Sequence, residues 1–139
     1  MKEESPTPPE GFIAFGYYND LEKASQFYRD KMGFKLVIDL DFAKVYQAYE
    51  SVHIGLVDGK RGYLKPSQEK PVMLTFFVKD IDAWHRDLLE KGVPIEQEPK
   101  EASYLKMKTM LFRDPEGYLI ELLQWLSQPY GQAQVTRRT

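Results

Sequence analysis

Two periodicities take turns along the chain, and their order occurs twice. Phe12 to Tyr18 is a β-prone run of aromatic and aliphatic residues. It leads into Asn19-Asp20, a helix-capping pair, after which Leu21, Ala24, Phe27, Tyr28 and Met32 fall at helical spacing before Gly33. Phe34 to Leu40, Phe42 to Tyr49 and Val52 to Val57 are rich in β-branched and aromatic residues and predict three strands. About sixty residues on, the order recurs. Val72 to Val78 predicts a strand, and Asp80 caps a helix to Lys91 whose buried face holds Ile81, Trp84, Leu88 and Leu89. Gly92 closes that helix. Segments Ile95 to Gln97, Tyr104 to Phe112 and Tyr118 to Trp125 follow, the last two joined by Asp114-Pro115-Glu116-Gly117.

Each half therefore reads βαβββ, over 11–62 and 71–126, and the two are expected to form one domain. Two copies make no solenoid, and a half of this size is marginal alone. The predicted fold is α+β, with two βαβββ modules forming a curved mixed sheet around a cleft, helices outside. Tyr63 to Lys70, containing Pro66 and Ser67, is the candidate linker. Residues 1–10 and 127–139 read as disordered tails. A duplicated module tends to place its ligand site where the halves meet.

Composition narrows the functions. A formal net charge of −2, with 19 basic and 21 acidic residues, gives no concentrated basic face for nucleic acid. No Cys is present, which excludes disulfides, thiolate chemistry and Cys-ligated metals. The first ten residues carry no apolar run, so neither a signal peptide nor a membrane span is expected there, and a cytoplasmic location follows. Aromatic residues make up 14% of the chain, more than enough to line an apolar pocket as well as a core.

The strand entering Asp20-Leu-Glu-Lys, its echo at Val78-Lys-Asp-Ile-Asp and the segment Asp114-Pro-Glu-Gly-Tyr-Leu-Ile-Glu-Leu together resemble the vicinal oxygen chelate superfamily. That superfamily includes glyoxalases, bleomycin-resistance proteins and ring-cleaving dioxygenases. The Asp-Pro-Glu-Gly turn is the most specific of the three motifs, with Pro115 presetting φ and Gly117 supplying a permissive backbone. The motifs span Phe12 to Leu126. The resemblance implies homodimerisation, and metal ligands (usually His or Glu) from the first and last strand of each module. The usual first ligand lies seven residues before the capping Asp, which here gives Ile13 and Met73. Neither binds a hard divalent cation.

Strand alternation assigns faces to the remaining residues. Phe12, Ala14, Gly16 and Tyr18 should face the first helix, leaving Ile13, Phe15 and Tyr17 for the cleft. Met73, Thr75 and Phe77 take the same side in the second half. With Val52, Ile54 and Leu56 inward, His53 and Gly55 face the cleft, and either could be the counterpart of Glu121. With Tyr118, Ile120 and Leu122 inward, Glu121 faces the cleft beside Leu119 and Leu123. Two ligands are fewer than the three that catalytic zinc normally keeps, so a cleft without cofactor is favoured; if a divalent metal binds, His53 and Glu121 hold it.

The candidate catalytic residues are Glu121 and His53. Desolvation among Leu119, Leu123, Met73 and Phe15 would raise the Glu121 pKa and suit it to general acid–base work. The candidate ligand-binding residues are Phe15, Tyr17, Met73, Thr75, Phe77 and Leu119, with Tyr46 a further aromatic candidate. His85, on the helix side opposite Trp84, reads as solvated, and Lys106 and Lys108 face either water or an anionic ligand. The favoured function is metal-independent binding of a flat or apolar small molecule. The alternatives are a metal-dependent lyase or dioxygenase using His53 and Glu121, and an assembly protein with a vestigial cleft.

Overall fold

The structure, a computed structural model, describes residues 5–102 and 105–127. Tyr104, most of the C-terminal tail and the first four residues of the N-terminal tail lie outside them. The chain divides into two compact units, the first ending at Ser67 and the second beginning at Gln68.

In the first unit the elements are β1 (Phe12–Tyr18), α1 (Leu21–Gln26) with a π-helical continuation Phe27–Lys31, β2 (Lys35–Asp39), β3 (Ala43–Tyr49) and β4 (Val52–Asp58). The second unit has β5 (Met73–Phe77), α2 (Ile81–Glu90), β6 (Ile95–Glu101), β7 (Met107–Arg113) and β8 (Leu119–Trp125). Both sheets have four strands, in the orders β1-β4-β3-β2 and β5-β8-β7-β6. The first strand of each unit runs parallel to its last, and the other pairs are antiparallel. The duplicated βαβββ pattern is thus present as two mixed sheets, each with its helix on one face.

The repeat extends to the helix ends. Asp20 and Asp80 each accept a hydrogen bond from the backbone N–H three residues on, at 3.0 Å from Lys23 and 3.1 Å from Ala83. Such caps stabilise a helix by about 1 kcal/mol. Gly33 and Gly92 follow the two helices with φ of 72° and 79°, a left-handed turn that costs a residue with a β-carbon about 1–2 kcal/mol. The π-helical turn is seen in the Met32 N–H, which donates to the carbonyl of Phe27 at 3.2 Å, five residues back. Helical spacing alone predicted an ordinary helix there.

The core of each unit lies between sheet and helix. In the first, Tyr18, Tyr46, Ile54 and Leu56 of the sheet meet Ala24, Phe27 and Tyr28, and the Ser25 and Tyr46 hydroxyls hydrogen-bond inside it. In the second, Met110, Phe112, Ile120 and Leu122 lie beneath Ile81 and Leu88. Each fully buried aliphatic side chain contributes about 1.5–3 kcal/mol. Gln124 lies on the same face, its Oε1 accepting from the Ile81 N–H at 2.9 Å, and Lys108 there donates to Asp82 at 2.8 Å.

Several expectations need correction. Leu89 is 53% exposed, because the buried stripe of α2 runs through Ile81 and Leu88, seven residues apart, and Leu89 lies a further 100° round. Phe12 heads its strand and is 71% exposed rather than packed under α1. His85 is half-buried, and its Nε2 is shut off from solvent without a hydrogen-bond partner among the described residues, so it is not a solvated side chain. Strand β6 continues past Gln97 to Glu101 despite Pro99, which is tolerated because β6 is an edge strand whose register slips between Gln97 and Lys100.

Candidate functional site

The residues expected to meet a ligand lie on the helix-free face of each sheet. In the second unit, β5 and β8 run side by side with Met73 beside Leu119, Thr75 beside Glu121 and Phe77 beside Leu123. The Asp114-Pro115-Glu116-Gly117 turn sets this register. Buried Asp114 accepts at Oδ1 from the N–H groups of Glu116 and Tyr118, both at 3.0 Å, and the Gly117 N–H donates to the Asp114 carbonyl at 3.1 Å. The turn fixes where β8 starts, and the burial of Ile120 and Leu122 under α2 then leaves Glu121 on the other face.

On that face Glu121 is half-buried, and its Oε1 accepts a 2.9 Å hydrogen bond from the Thr75 hydroxyl. It is surrounded by apolar side chains rather than enclosed by them. Met73 and Phe77 are 50% and 57% exposed, and Leu119 and Leu111 (the latter opposite Glu121 on β7) are half-buried. Phe77 makes an edge-to-face contact with Trp125, ring centroids 5.7 Å apart. Extending the β8 alternation past Leu123 would have found Trp125, which sequence reasoning left out of the site.

In the first unit β1 and β4 place Ile13 beside His53 and Phe15 beside Gly55. Phe15 is 47% exposed, while Gly55 is buried because the Phe15 ring lies across it. Tyr17 is half-buried, and its ring approaches Gly62 in the loop after β4. His53 is half-buried at the outer end of β4, opposite Gln47 of β3. Tyr46 is not on this face. It points at α1, where Ser25 holds its hydroxyl, so it is a core residue and not a ligand contact.

These registers decide which residue of β4 matches Glu121. Ile13 and Met73 stand at equal distances before the capping Asp residues, so the partner of Ile13 matches the partner of Met73. His53 therefore corresponds to Leu119, and Gly55 to Glu121. On the pattern that the resemblance implies, the four ligand positions are then Ile13, Gly55, Met73 and Glu121, of which Glu121 alone has a side chain that ligates a hard divalent cation. One carboxylate does not fit a divalent cation that needs three or more protein ligands. No group of three or more His, Asp or Glu residues among the described residues is placed to hold a metal.

Two basic residues of β7 are held in ion pairs. The Lys108 ammonium hydrogen-bonds Asp82 and holds its carboxyl below the usual range, so Lys108 serves α2 rather than an anionic ligand. Arg113 does the same for Glu96 at 2.7 Å. An open groove of about 470 Å³ lies at the start of α1, bordered by Leu21, Glu22, Asp39, Asp41, Lys44 and Asp58. It holds none of the expected ligand residues.

Comparison with known proteins agrees with this architecture. The family model described as "Glyoxalase/Bleomycin resistance protein/Dioxygenase superfamily" matches residues 15–122. An uncharacterized protein of Bacillus subtilis, YraH, is 27% identical over 118 residues, covering 78% of this chain and 92% of its own. The crystal structure of TnmS3, an antibiotic binding protein from Streptomyces sp. CB03234, is similar at a TM-score of 0.72 and 25% identity, over 86% of this chain and 98% of that one. A lactoylglutathione lyase from Agrobacterium tumefaciens is similar at 0.69 and 20% identity, over 85% and 96%. The likeness to the lyase is one of fold.

Proposed function

The chain belongs to the glyoxalase/bleomycin resistance protein/dioxygenase superfamily, and on that premise we propose that it binds a flat, largely apolar small molecule without a metal. The observation that carries this reading is the donor set: Ile13, Gly55 and Met73 stand where a metalloenzyme needs ligands. The helix-free faces carry aromatic and thioether side chains instead, Phe15 and Tyr17 on one and Met73 and Phe77 on the other. Such side chains suit stacking and edge contacts with a ring system, and single polar groups among them fix orientation. Glu121 and His53 are those groups, as anchors. The likeness to an antibiotic binding protein supports a binding role.

The test is titration of isotope-labelled protein with 1-naphthol in the presence of chelator, followed by NMR. Saturable shifts are expected at 73–77 and 119–125 and at 13–17. Shifts confined to the groove beside Asp39 and Asp58, or binding that requires a divalent metal, would overturn the proposal.

A further inference from the structure

We infer that the ligand carries a protonated amine or amidinium group, and that Glu121 receives it. This deepens the proposed small-molecule reading and rests on it. Thr75 occupies Oε1 of the carboxylate, while no described residue donates a hydrogen bond to Oε2. A hydroxyl held on one oxygen restrains the carboxylate and leaves its second oxygen as an acceptor.

Among the described residues no ion pair reaches Glu121. Its neighbours on the face are Met73, Leu119 and Phe77, and the basic residues of the adjoining strand are committed elsewhere. Lys108 points to the helix face and pairs with Asp82, and Arg113 binds Glu96 and the Gly117 carbonyl. A carboxylate flanked by apolar side chains attracts a cation more strongly than one in open water. It also repels an anion of the same shape, so one residue supplies both selection and rejection. Phe77 and Trp125 lie along the same face, where a ring joined to the cation through a short linker would rest. The geometry therefore selects an aromatic amine over its neutral and anionic analogues.

The experiment uses three probes with one ring system: tryptamine, tryptophol and indole-3-acetate, titrated into the whole chain and followed by NMR shifts at 73–77 and 119–125. Tryptamine should bind about tenfold tighter than tryptophol, a modest factor for a charge-assisted hydrogen bond because water reaches this face. Indole-3-acetate should bind most weakly. Glu121→Gln keeps the shape and should bring tryptamine down to tryptophol's affinity while improving indole-3-acetate. Thr75→Val, which frees the carboxylate to turn, should weaken tryptamine severalfold and leave tryptophol unchanged. Equal binding of all three probes at this face would overturn the inference and leave the small-molecule reading standing. No binding of any probe there would overturn both.

Discussion

Gly55 lies beneath the ring of Phe15, so close that a β-carbon on Gly55 would stand 2.3 Å from Cδ1 and 2.4 Å from Cε1 of that ring. Ile13 Cγ2 would be 3.1 Å away on the same side. The missing side chain thus sets where the exposed aromatic ring rests. Gly55→Ala should push the ring off the strand. Because the ring is the far end of a rotatable side chain and Ala suits a strand better than Gly by about 0.5–1 kcal/mol, stability should change by no more than about 1 kcal/mol. Denaturant unfolding checks the second statement. Displaced Phe15 ring resonances and lost contacts to residue 55 check the first, and an unmoved ring would contradict it.

The Ser25–Tyr46 hydrogen bond should matter to stability and not to ligand binding. Both residues are buried between α1 and the sheet. Ser25→Ala leaves the Tyr46 hydroxyl buried without that partner, a loss of about 1–3 kcal/mol. Tyr46→Phe removes the hydroxyl and should also destabilise, by about 1 kcal/mol. The affinity for 1-naphthol should be the same in both variants as in the parent chain. A drop in affinity for Tyr46→Phe at unchanged stability would return Tyr46 to the ligand face.

Tyr46 also shows where the sequence stopped being legible. Alternation within β1, β5 and β8 placed Phe15, Thr75, Phe77 and Glu121 because burial alternates along those strands, as with buried Ile120 and Leu122 on either side of half-buried Glu121. Strand β3 carries Ala43, Val45 and Tyr46 all buried, so its pattern favours neither face, and only pairing with β4 assigns it. The equivalence of Gly55 and Glu121 was unreadable for a similar reason: it depends on the register between β1 and β4, which are separated by the rest of the module. The second half of β6 escaped pattern too. Its start, Ile95 to Gln97, was legible, but Glu98, Pro99, Lys100 and Glu101 have an edge-strand composition with no apolar alternation. Capping aspartates and closing glycines were legible throughout, because their chemistry is local.

The Asp82–Lys108 pair predicts an acid-sensitive contribution to the second unit. The hydrogen bond from Lys108, then the attraction of Lys108, Arg86 and His85, lowers the Asp82 pKa in the folded state. A depressed folded-state value adds stability that is complete above the unfolded-state value and is lost as pH falls through the folded one. Asp82→Asn should therefore lower the denaturant midpoint at neutral pH. That difference should shrink and vanish once the pH is below both values. Asp82 is exposed and salt screens the pair, so added salt should also reduce the difference at neutral pH. A difference that is constant across pH would mean that Asp82 acts through its shape and not its charge.

Divalent metals should leave the chain's stability almost unchanged. A metal that binds only the folded state stabilises it by RT ln(1 + [metal]/Kd), about 2.7 kcal/mol at a hundredfold excess over Kd, which moves a small domain's melting temperature by several degrees. A micromolar site needs several donors at once, and of Ile13, Gly55, Met73 and Glu121 only Glu121 offers one suited to these ions, the Met73 thioether being a soft ligand. Thermal melts with excess zinc, nickel or manganese should therefore superpose on those with chelator, to within about a degree. Zinc also binds loosely to exposed His side chains, so the decisive comparison is with Glu121→Gln. A saturable rise of several degrees that this substitution abolishes would show that Glu121 recruits donors from outside the four inherited positions, and the metal-free reading would fall.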